Sequence, residues 1–546
     1  MTATTAPEHT AMGRLLDVIE RAGNKVPHPV MMFLYLIIGV VVLSAVLAFA
    51  GVSVTDQIAV PDVVEVVPDY YEDSTQPILE PAVGDFGYED DWHIEEVTIP
   101  IRSLLDVDGI RFIFTSFVPN FAGFGVIAVT FVALMGAGVA EASGLMAALI
   151  RLLVAASPKR LLAFVLIFVG VLSSVATDAG YLILVPLGAA AFVSVGRHPL
   201  AGMAACFAGV GAIFGVNPIP GPIDAQITAI TNEALDAAGG TPLSILANYW
   251  FSIASSVVLA IVAAVITERV IEPRLGAFQG VTAGDAAQPA HDPATESRGM
   301  RAALIGTLVF LGIVLVFTLP PGAPLRDPVT GDVIGNTPFM DSLLFIISMT
   351  FLIAGIAYGR GAGTFTSAND VIAAVTKTFG NLGGLVFMLL MIAQFIAYFN
   401  YSNIPSVLAI VLAESLEAAG IGALPLLVGM ILVILILDVI MPGLIPKWAI
   451  FAPIFIPLFI QLGVPPQTGL AAYRVGDSPL NVVTPLMVYL PFMVTIAQRY
   501  QKDAGIGTII ALMLPFVIII AVVWIVLFIV WFLLGLPLGP GYPVTV

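Results

Sequence analysis

Three stretches of this chain, VMMFLYLIIGVVVLSAVLAFAG, WFSIASSVVLAIVAAVI and IIALMLPFVIIIAVVWIVLFIVWFLLG, run for a membrane's width without a single charge. Roughly 30 Å of hydrocarbon offers no water to backbone N–H and C=O groups, so such a segment must close its hydrogen bonds on itself as a helix. Repeated along 546 residues, these runs describe an all-α polytopic membrane protein. Only 10% of residues are charged, against about 25% in a soluble domain, which excludes a soluble enzyme or a nucleic-acid binder. The polar first 27 residues lack the short apolar core and small-residue site of a removable signal peptide, so none is expected. A lone Cys206 and the lack of Cys/His ligand spacing predict neither an internal disulfide nor structural zinc, and no cofactor.

Apolar length predicts about nine full crossings, starting near residues 28, 123, 161, 200, 246, 302, 342, 423 and 507. Shorter pieces fall around 143–156, 179–194, 383–399, 404–418, 447–462 and 467–498. Two water-facing segments separate them. Residues 55–108 hold 15 of the 37 acids and one basic residue, Arg102, which makes the 51–108 segment an acidic extramembrane loop and accounts for much of the net charge of −17. It reads as a solvated lobe; the rival is a cation-attracting vestibule. Residues 276–300 are an Ala/Gly/Pro/Asp mixture that cannot build a core. The expected order is a cytoplasmic segment 1–27, a first membrane half 28–271 carrying the acidic loop, a cytoplasmic linker 272–300 and a second membrane half 301–546. Lys and Arg gather beside the first span, at 159–160, around the linker, at 360 and 377, and at 499 and 502. By the positive-inside rule this places the N-terminus and linker in the cytoplasm and the C-terminus outside, in a bacterial-type cytoplasmic (inner) membrane.

The two halves share a motif. DAGYLILVPL (178–187) and DSPLNVVTPL (477–486) align Asp on Asp and, eight positions later, Pro-Leu on Pro-Leu. Matching acids ahead of proline-interrupted apolar runs are the mark of an inverted-repeat transporter with broken helices. A charge at mid-membrane costs about 2.5–3.5 kcal/mol on insertion scales. Asp178, Asp438, Arg474 and Asp477 therefore need partners or water. SSVATDAG, NPIPGPID, PPQT and RVGDSPLNVVTP have the composition of unwound helix, where anions meet helix N-termini and cations meet carbonyls. The plainer alternatives stand beside this. Arg474 and Asp477, three apart, could neutralise each other. Asp438 could be a satisfied acid near a helix end, Trp448 an interfacial belt residue, Asn400 and Asn403 helix glue; Glu141 reads either way.

In chain order, SSVATDAGYLILVPLGA, GVNPIPGPIDAQIT, QFIAYFNYSNI, PKWAIFAPIFIPL and AAYRVGDSPLNVVTPLMVYLPF resemble the AbgT family, the p-aminobenzoyl-glutamate transporters. These motifs span residues 173–492, and Arg-x-x-Asp-Ser-x-x-Asn-x-x-Thr-Pro is the most specific. The resemblance implies a homodimer whose protomers have nine transmembrane helices and two re-entrant hairpins. It implies movement of p-aminobenzoyl-glutamate or export of sulfonamide antimetabolites, driven by protons or sodium. Carried over residue by residue, it marks Asp178, Asn400, Trp448, Pro466, Arg474 and Asp477 as transport positions.

On that reading Arg474 anchors a carboxylate of a small aromatic anion, and Trp448 offers a ring face to the aminobenzoyl group. Asn400, Pro466 and Asn481 complete the substrate site, while Pro466 and Pro485 set the breaks. Asp477, Asp178 and Asp438 couple the ion, Asp477 and Asp438 being the candidate Na+ ligands. Asp178 and Asp477 are expected to line one hydrated pocket between mirrored halves. One departure stands out. Asp438 takes the place of an amide, and Met441, Pro442, Gly443 and Leu444 replace the hydroxyl-rich hairpin tip of relatives. The rival readings are a dicarboxylate or other organic-anion carrier, a channel, and an intramembrane aspartyl protease. In the protease reading, Arg474 occupies the place of the first glycine of a Gly-x-Gly-Asp signature.

Overall fold

The computed structural model describes residues 29–61, 92–155, 157–174, 180–276, 278, 293–334, 337–420, 422–439, 441, 443–484, 487 and 489–545. Asp178, Pro442 and Pro485 lie outside the described residues, as does most of the acidic loop.

Among the described residues eight helices are long and apolar enough to cross a membrane, or nine when the pair Leu145–Ala155 and Lys159–Ser173, bent by 113°, is taken as one broken span. The expected number of crossings therefore holds, but their assignment shifts. Segments starting near 161, 200 and 423 are short helices, Leu162–Ser173, Pro199–Phe207 and Ala423–Asp438. Conversely, the pieces read as short around 383–399 and 447–462 are span-length helices, Gly383–Tyr401 and Leu444–Gln461. Apolar length alone cannot see where a backbone stops being helical. The run from 200 gives way to π-helical turns at Ala208–Ala212 and then to Gly215, Pro218, Pro220 and Pro222. The Leu444–Gln461 helix keeps its course through Pro453 and Pro457, each of which lacks the N–H that would bond the carbonyl four residues back, at Ala449 and Pro453.

The acidic loop begins and ends in an antiparallel two-stranded ribbon, Ser53–Pro61 on Trp92–Pro100, with Ser53 opposite Pro100 and Pro61 opposite Trp92. This is a departure from an all-helical reading, and the alternation in SVTDQIAV and HIEEVTIP is the period-two pattern that produces it. The ribbon is anchored to the membrane part by the FNYSN segment. Asn403, in a left-handed conformation (φ 58°), donates to the Pro100 carbonyl at 2.9 Å, and Arg102 lies over the Tyr401 ring. For Asn403 this is a structural tie.

Without a hydrophobic force between helices in lipid, close backbone approach carries the packing. A Cβ on Gly209 would lie 2.4 Å from the Ile167 carbonyl oxygen, and one on Gly476 2.8 Å from Ile434 Cβ. Small residues thus let the 162–173 helix sit on the Ala208–Ala212 turn, and the Pro466–Asp477 helix on Ala423–Asp438. The last described residues fold back as a strap. Gln467 Nε2 donates to Pro543 O and Thr468 Oγ1 to Val544 O, each at 2.8 Å, at the start of the Pro466–Asp477 helix.

Candidate functional site

A cavity of about 660 Å³ opens where the two halves meet, within the size range of small-molecule sites. Tyr181, Phe214 and Gln226 contribute from the first half, and Asn381, Asn481 and Tyr489 from the second. Tyr181 and Tyr489 stack across it, centroids 4.3 Å apart and planes within 12°, so the seam between the halves is itself an aromatic wall. Glu141 is also in the wall, and no Lys or Arg is among the described lining residues. Of the predicted substrate residues, Asn481 lines this cavity. Pro466 starts its helix as the first residue, and Asn400 sits in the last turn of Gly383–Tyr401; neither is in the cavity wall.

Two buried polar clusters flank the cavity. The first gathers around Arg474. Rather than neutralising Asp477 on its own helix, Arg474 Nη1 reaches across to Asp224 Oδ1 at 2.6 Å and to the Gly215 carbonyl at 2.9 Å. Asp224 is placed by local chemistry: it is the third residue of the Pro222–Ala237 helix, and its Oδ2 accepts the Gly221 N–H at 2.9 Å. An acid in a first helical turn is favoured by the macrodipole. The Gly215 N–H in turn donates to Ser478 Oγ at 2.7 Å. Arg474 is 2% exposed and its Nε has no hydrogen-bond partner. In this conformation, therefore, the expected anion anchor already holds a carboxylate of the protein, one half of the chain gripping the other.

The second cluster joins three charges, each fully buried. Lys447 Nζ lies 2.7 Å from Asp477 Oδ1 and is ion-paired with Asp438 Oδ1 as well. All three stand at the wrong end of their helices. Asp438 and Asp477 are the last residues of Ala423–Asp438 and Pro466–Asp477, and Lys447 is in the first turn of Leu444–Gln461. Helix dipoles oppose acids at C-termini and bases at N-termini, so each charge is held there by the others. The outer oxygens, Oδ2 of Asp438 and Oδ2 of Asp477, have no hydrogen-bond partner.

Tyr473 ties this triad to the hairpin tip. Its hydroxyl stands 2.5 Å from the Leu444 carbonyl and 3.2 Å from Asp477 Oδ1, with one proton for two acceptors. Its ring stacks on Trp448 at 4.4 Å, and the Trp448 indole N–H donates to Thr231 Oγ1 at 2.8 Å. Trp448 is fully buried and absent from the cavity wall: here its ring face covers Tyr473 rather than a ligand, and it is no interfacial belt residue. Asp477 is likewise sealed from the cavity, against the expectation that it lines a hydrated pocket. Between triad and cavity stands the tip, where Gly443 (φ 104°) and Ile445 form part of the wall. Gly443 occupies a backbone conformation that side-chain-bearing residues rarely adopt.

Sequence reasoning missed Lys447 and Asp224. Both were within reach: a lysine inside GLIPKWAIFAPIF needs a buried anion by the same cost that demands partners for the aspartates.

The chain is similar to known transport proteins over nearly its whole length. A family model described as "AbgT putative transporter family" matches residues 14–546. The p-aminobenzoyl-glutamate transport protein of Escherichia coli K12 is 32% identical over 549 residues, covering 100% of this chain and 99% of its own. Two solved structures superpose with a TM-score of 0.82. The Alcanivorax borkumensis YdaH transporter, described as having an unusual topology, is 36% identical over 94% of this chain and 100% of its own. Neisseria gonorrhoeae MtrF, described as illuminating a class of antimetabolite efflux pumps, is 35% identical over 97% of this chain and 100% of its own.

Proposed function

The chain belongs to the AbgT transporter family, and we propose that it is an ion-coupled secondary transporter of p-aminobenzoyl-glutamate or related aminobenzoate compounds. It is a multi-span membrane transporter and not an enzyme, as its named relatives are transport proteins; the protease reading falls with that membership. The observation that carries the substrate assignment is the end-to-end match to the Escherichia coli protein. The cavity supports it: its volume suits a drug-sized ligand, and Tyr181 and Tyr489 give an aryl ring a face to stack on.

The mechanism follows from where the charges are. An incoming carboxylate competes with Asp224 for the Arg474 guanidinium, which can bind it bidentately. Exchange of that partner loosens the grip between the halves and favours the alternate state, so substrate binding and opening are one event. Asp477 and Asp438, with Asp178 in the repeat-related position, respond to a proton or sodium gradient.

One observation favours a second cargo. The wall carries Glu141 and, among its described residues, no base. That suits a neutral aromatic amide or sulfonamide better than a dianion, in line with efflux of antimetabolites as described for MtrF. We also propose a cytoplasmic-membrane location with the N-terminus inside, a reading that the distribution of Lys and Arg supports. Reporter fusions at residues 1 and 546 check that orientation. We also take it to function as a homodimer: the Ala294–Thr318 helix, with 6% of its span buried, offers an apolar face for lipid or a second copy, and light scattering of the purified protein reports which.

The deciding experiment is labelled p-aminobenzoyl-glutamate uptake into proteoliposomes, with p-aminobenzoate, a sulfonamide and succinate as competitors. Saturable uptake blocked by p-aminobenzoate but not by succinate is expected. Blockage by succinate alone would replace the aromatic assignment with a dicarboxylate carrier.

A further inference from the structure

We propose that Gln226 and Asn481 are the specificity pair of the cavity, reading the neutral secondary amide that joins an aroyl group to an amino acid. Gln226 accepts the amide N–H and Asn481 donates to its carbonyl. The inference rests on the reading of the cavity as the site of an aminobenzoyl cargo, and names the part of that cargo which two side chains select.

Gln226 lies on the Pro222–Ala237 helix, and together with Pro222 and Ile223, one turn before it, gives the cavity a helix face. Its amide is oriented by a chain of hydrogen bonds. Thr130 Oγ1 stands 2.8 Å from the Val126 carbonyl of its own helix, and that carbonyl takes the single hydroxyl proton. The Thr130 oxygen is then an acceptor, so the Gln226 atom 3.1 Å from it is Nε2. Oε1 is the end left over, and no described residue donates to it. Asn481 comes from the other half, on the Pro479–Val482 turn. It lines the same cavity, and among the described residues its side chain makes no hydrogen bond. Gln226 is 4% exposed and Asn481 7%. Two amides more than nine-tenths buried thus keep unmet hydrogen-bonding capacity in one wall, where water or a ligand has to meet it.

That capacity has a definite chemistry. Oε1 accepts and does not donate, so it repels a carboxylate oxygen and fits an N–H. A trans secondary amide points its N–H and its carbonyl in opposite directions, so its two ends call for two residues rather than one. Gln226 supplies the acceptor and Asn481, from the facing half, the donor, and neither carries a charge. The wall holds Glu141 and no described base, so an anionic group is not what it selects. The Tyr181–Tyr489 stack supplies a face for the attached ring. Ser174, Phe214, Pro222 and Ile223 line both the cavity and a narrow recess that reaches Asp224, the partner of Arg474. An aroyl-amino acid thus finds its ring, its link and its carboxylate each provided for, the last by Arg474.

The first test uses the unaltered protein. Purified and full-length, it is titrated calorimetrically with p-aminobenzoyl-glutamate and with the ester analogue in which oxygen replaces the linking N–H. The amide is expected to bind about tenfold more tightly, the worth of one hydrogen bond together with the repulsion between the ester oxygen and Oε1. Equal affinities overturn the inference and leave the substrate reading intact, whereas no binding of either compound defeats the substrate reading itself. Gln226→Met keeps the bulk and removes the amide, and Thr130 keeps its bond to the Val126 carbonyl, so the variant should melt near wild type. Its preference for amide over ester should vanish while p-aminobenzoate, which has no linking amide, binds as before. A full preference surviving in this variant, or a loss confined to p-aminobenzoate, overturns the assignment of Gln226. Asn481→Leu should weaken amide and ester alike, since both carry the carbonyl, and keep the preference between them; unchanged affinities overturn the assignment of Asn481. For a variant that does not fold, the wild-type comparison decides.

Discussion

Arg474 and Asp477 lie three residues apart on one helix and serve different neighbours, the first reaching into the opposite half and the second into the hairpin of its own. The i, i+3 spacing was legible and suggested mutual neutralisation; the outcome is set by which acids the fold brings from far away, Asp224 at a separation of 250 residues and Asp438 at 39. A consequence can be measured. Arg474→Ala strands the buried Asp224 carboxylate, and breaking a buried pair by removing one partner costs about 3–5 kcal/mol. The variant should melt well below wild type and lose uptake. Adding Asp224→Asn removes the stranded charge, so the double variant should recover most of the lost Tm. Uptake should stay absent, because the guanidinium that receives the carboxylate is gone. Transport at the wild-type rate by the double variant would show that Arg474 is purely structural.

At the scale of elements, the apolar runs announced the number of crossings but not which runs cross. Periodicity and length report burial in lipid, whereas the break at 213–222 depends on glycines and prolines that tertiary contacts either exploit or override. Pro453 and Pro457 were overridden, and the Leu444–Gln461 helix runs through them. The motif RVGD shows the same dependence on context. In a protease its glycine would serve the catalytic loop; here Gly476 lets the 466–477 helix approach the 423–438 helix so closely that a Cβ would fall 2.8 Å from Ile434 Cβ and 2.9 Å from the Ile431 carbonyl. Overpacking of this kind typically costs about 1–3 kcal/mol. Gly476→Ala should lower the Tm measurably and Gly476→Val further, since a branched side chain would have to push the two helices apart. Melting curves of the two variants superimposable on wild type would mean that the contact yields without resistance. The separation matters beyond stability, as both helices end in the acids held by Lys447.

For the molecule as a whole, the matched DAGYLILVPL and DSPLNVVTPL motifs predicted two related halves meeting around polar breaks, and the cavity does lie at their junction. Its wall is drawn from both sides, with Tyr181 stacked on Tyr489. What the motifs could not convey is that the pocket wall and the buried charges are separate places, joined by the hairpin tip and by the crossing of the 213–224 and 474–484 segments. Gly215 and Ser478 mark that crossing: their backbone and side chain are hydrogen-bonded, and a Cβ on Gly215 would come 2.5 Å from Ser478 Oγ. If the halves part when the cavity changes the side it opens to, this contact must open in every cycle. Cys206 is buried in the core, so a Gly215→Cys, Ser478→Cys pair can be introduced beside a thiol that oxidants do not readily reach. A disulfide needs Cβ atoms about 3.5–4.5 Å apart, which so close an approach accommodates with small shifts. Oxidation of the pair in proteoliposomes should arrest p-aminobenzoyl-glutamate uptake and reduction should restore it, while either single cysteine responds to neither. Uptake that continues with the cross-link complete would mean that the 213–224 and 474–484 segments travel together as one body, and the moving boundary would then have to be sought on the other side of the cavity, between the Val126–Ala142 helix and the Asn381–Leu385 wall.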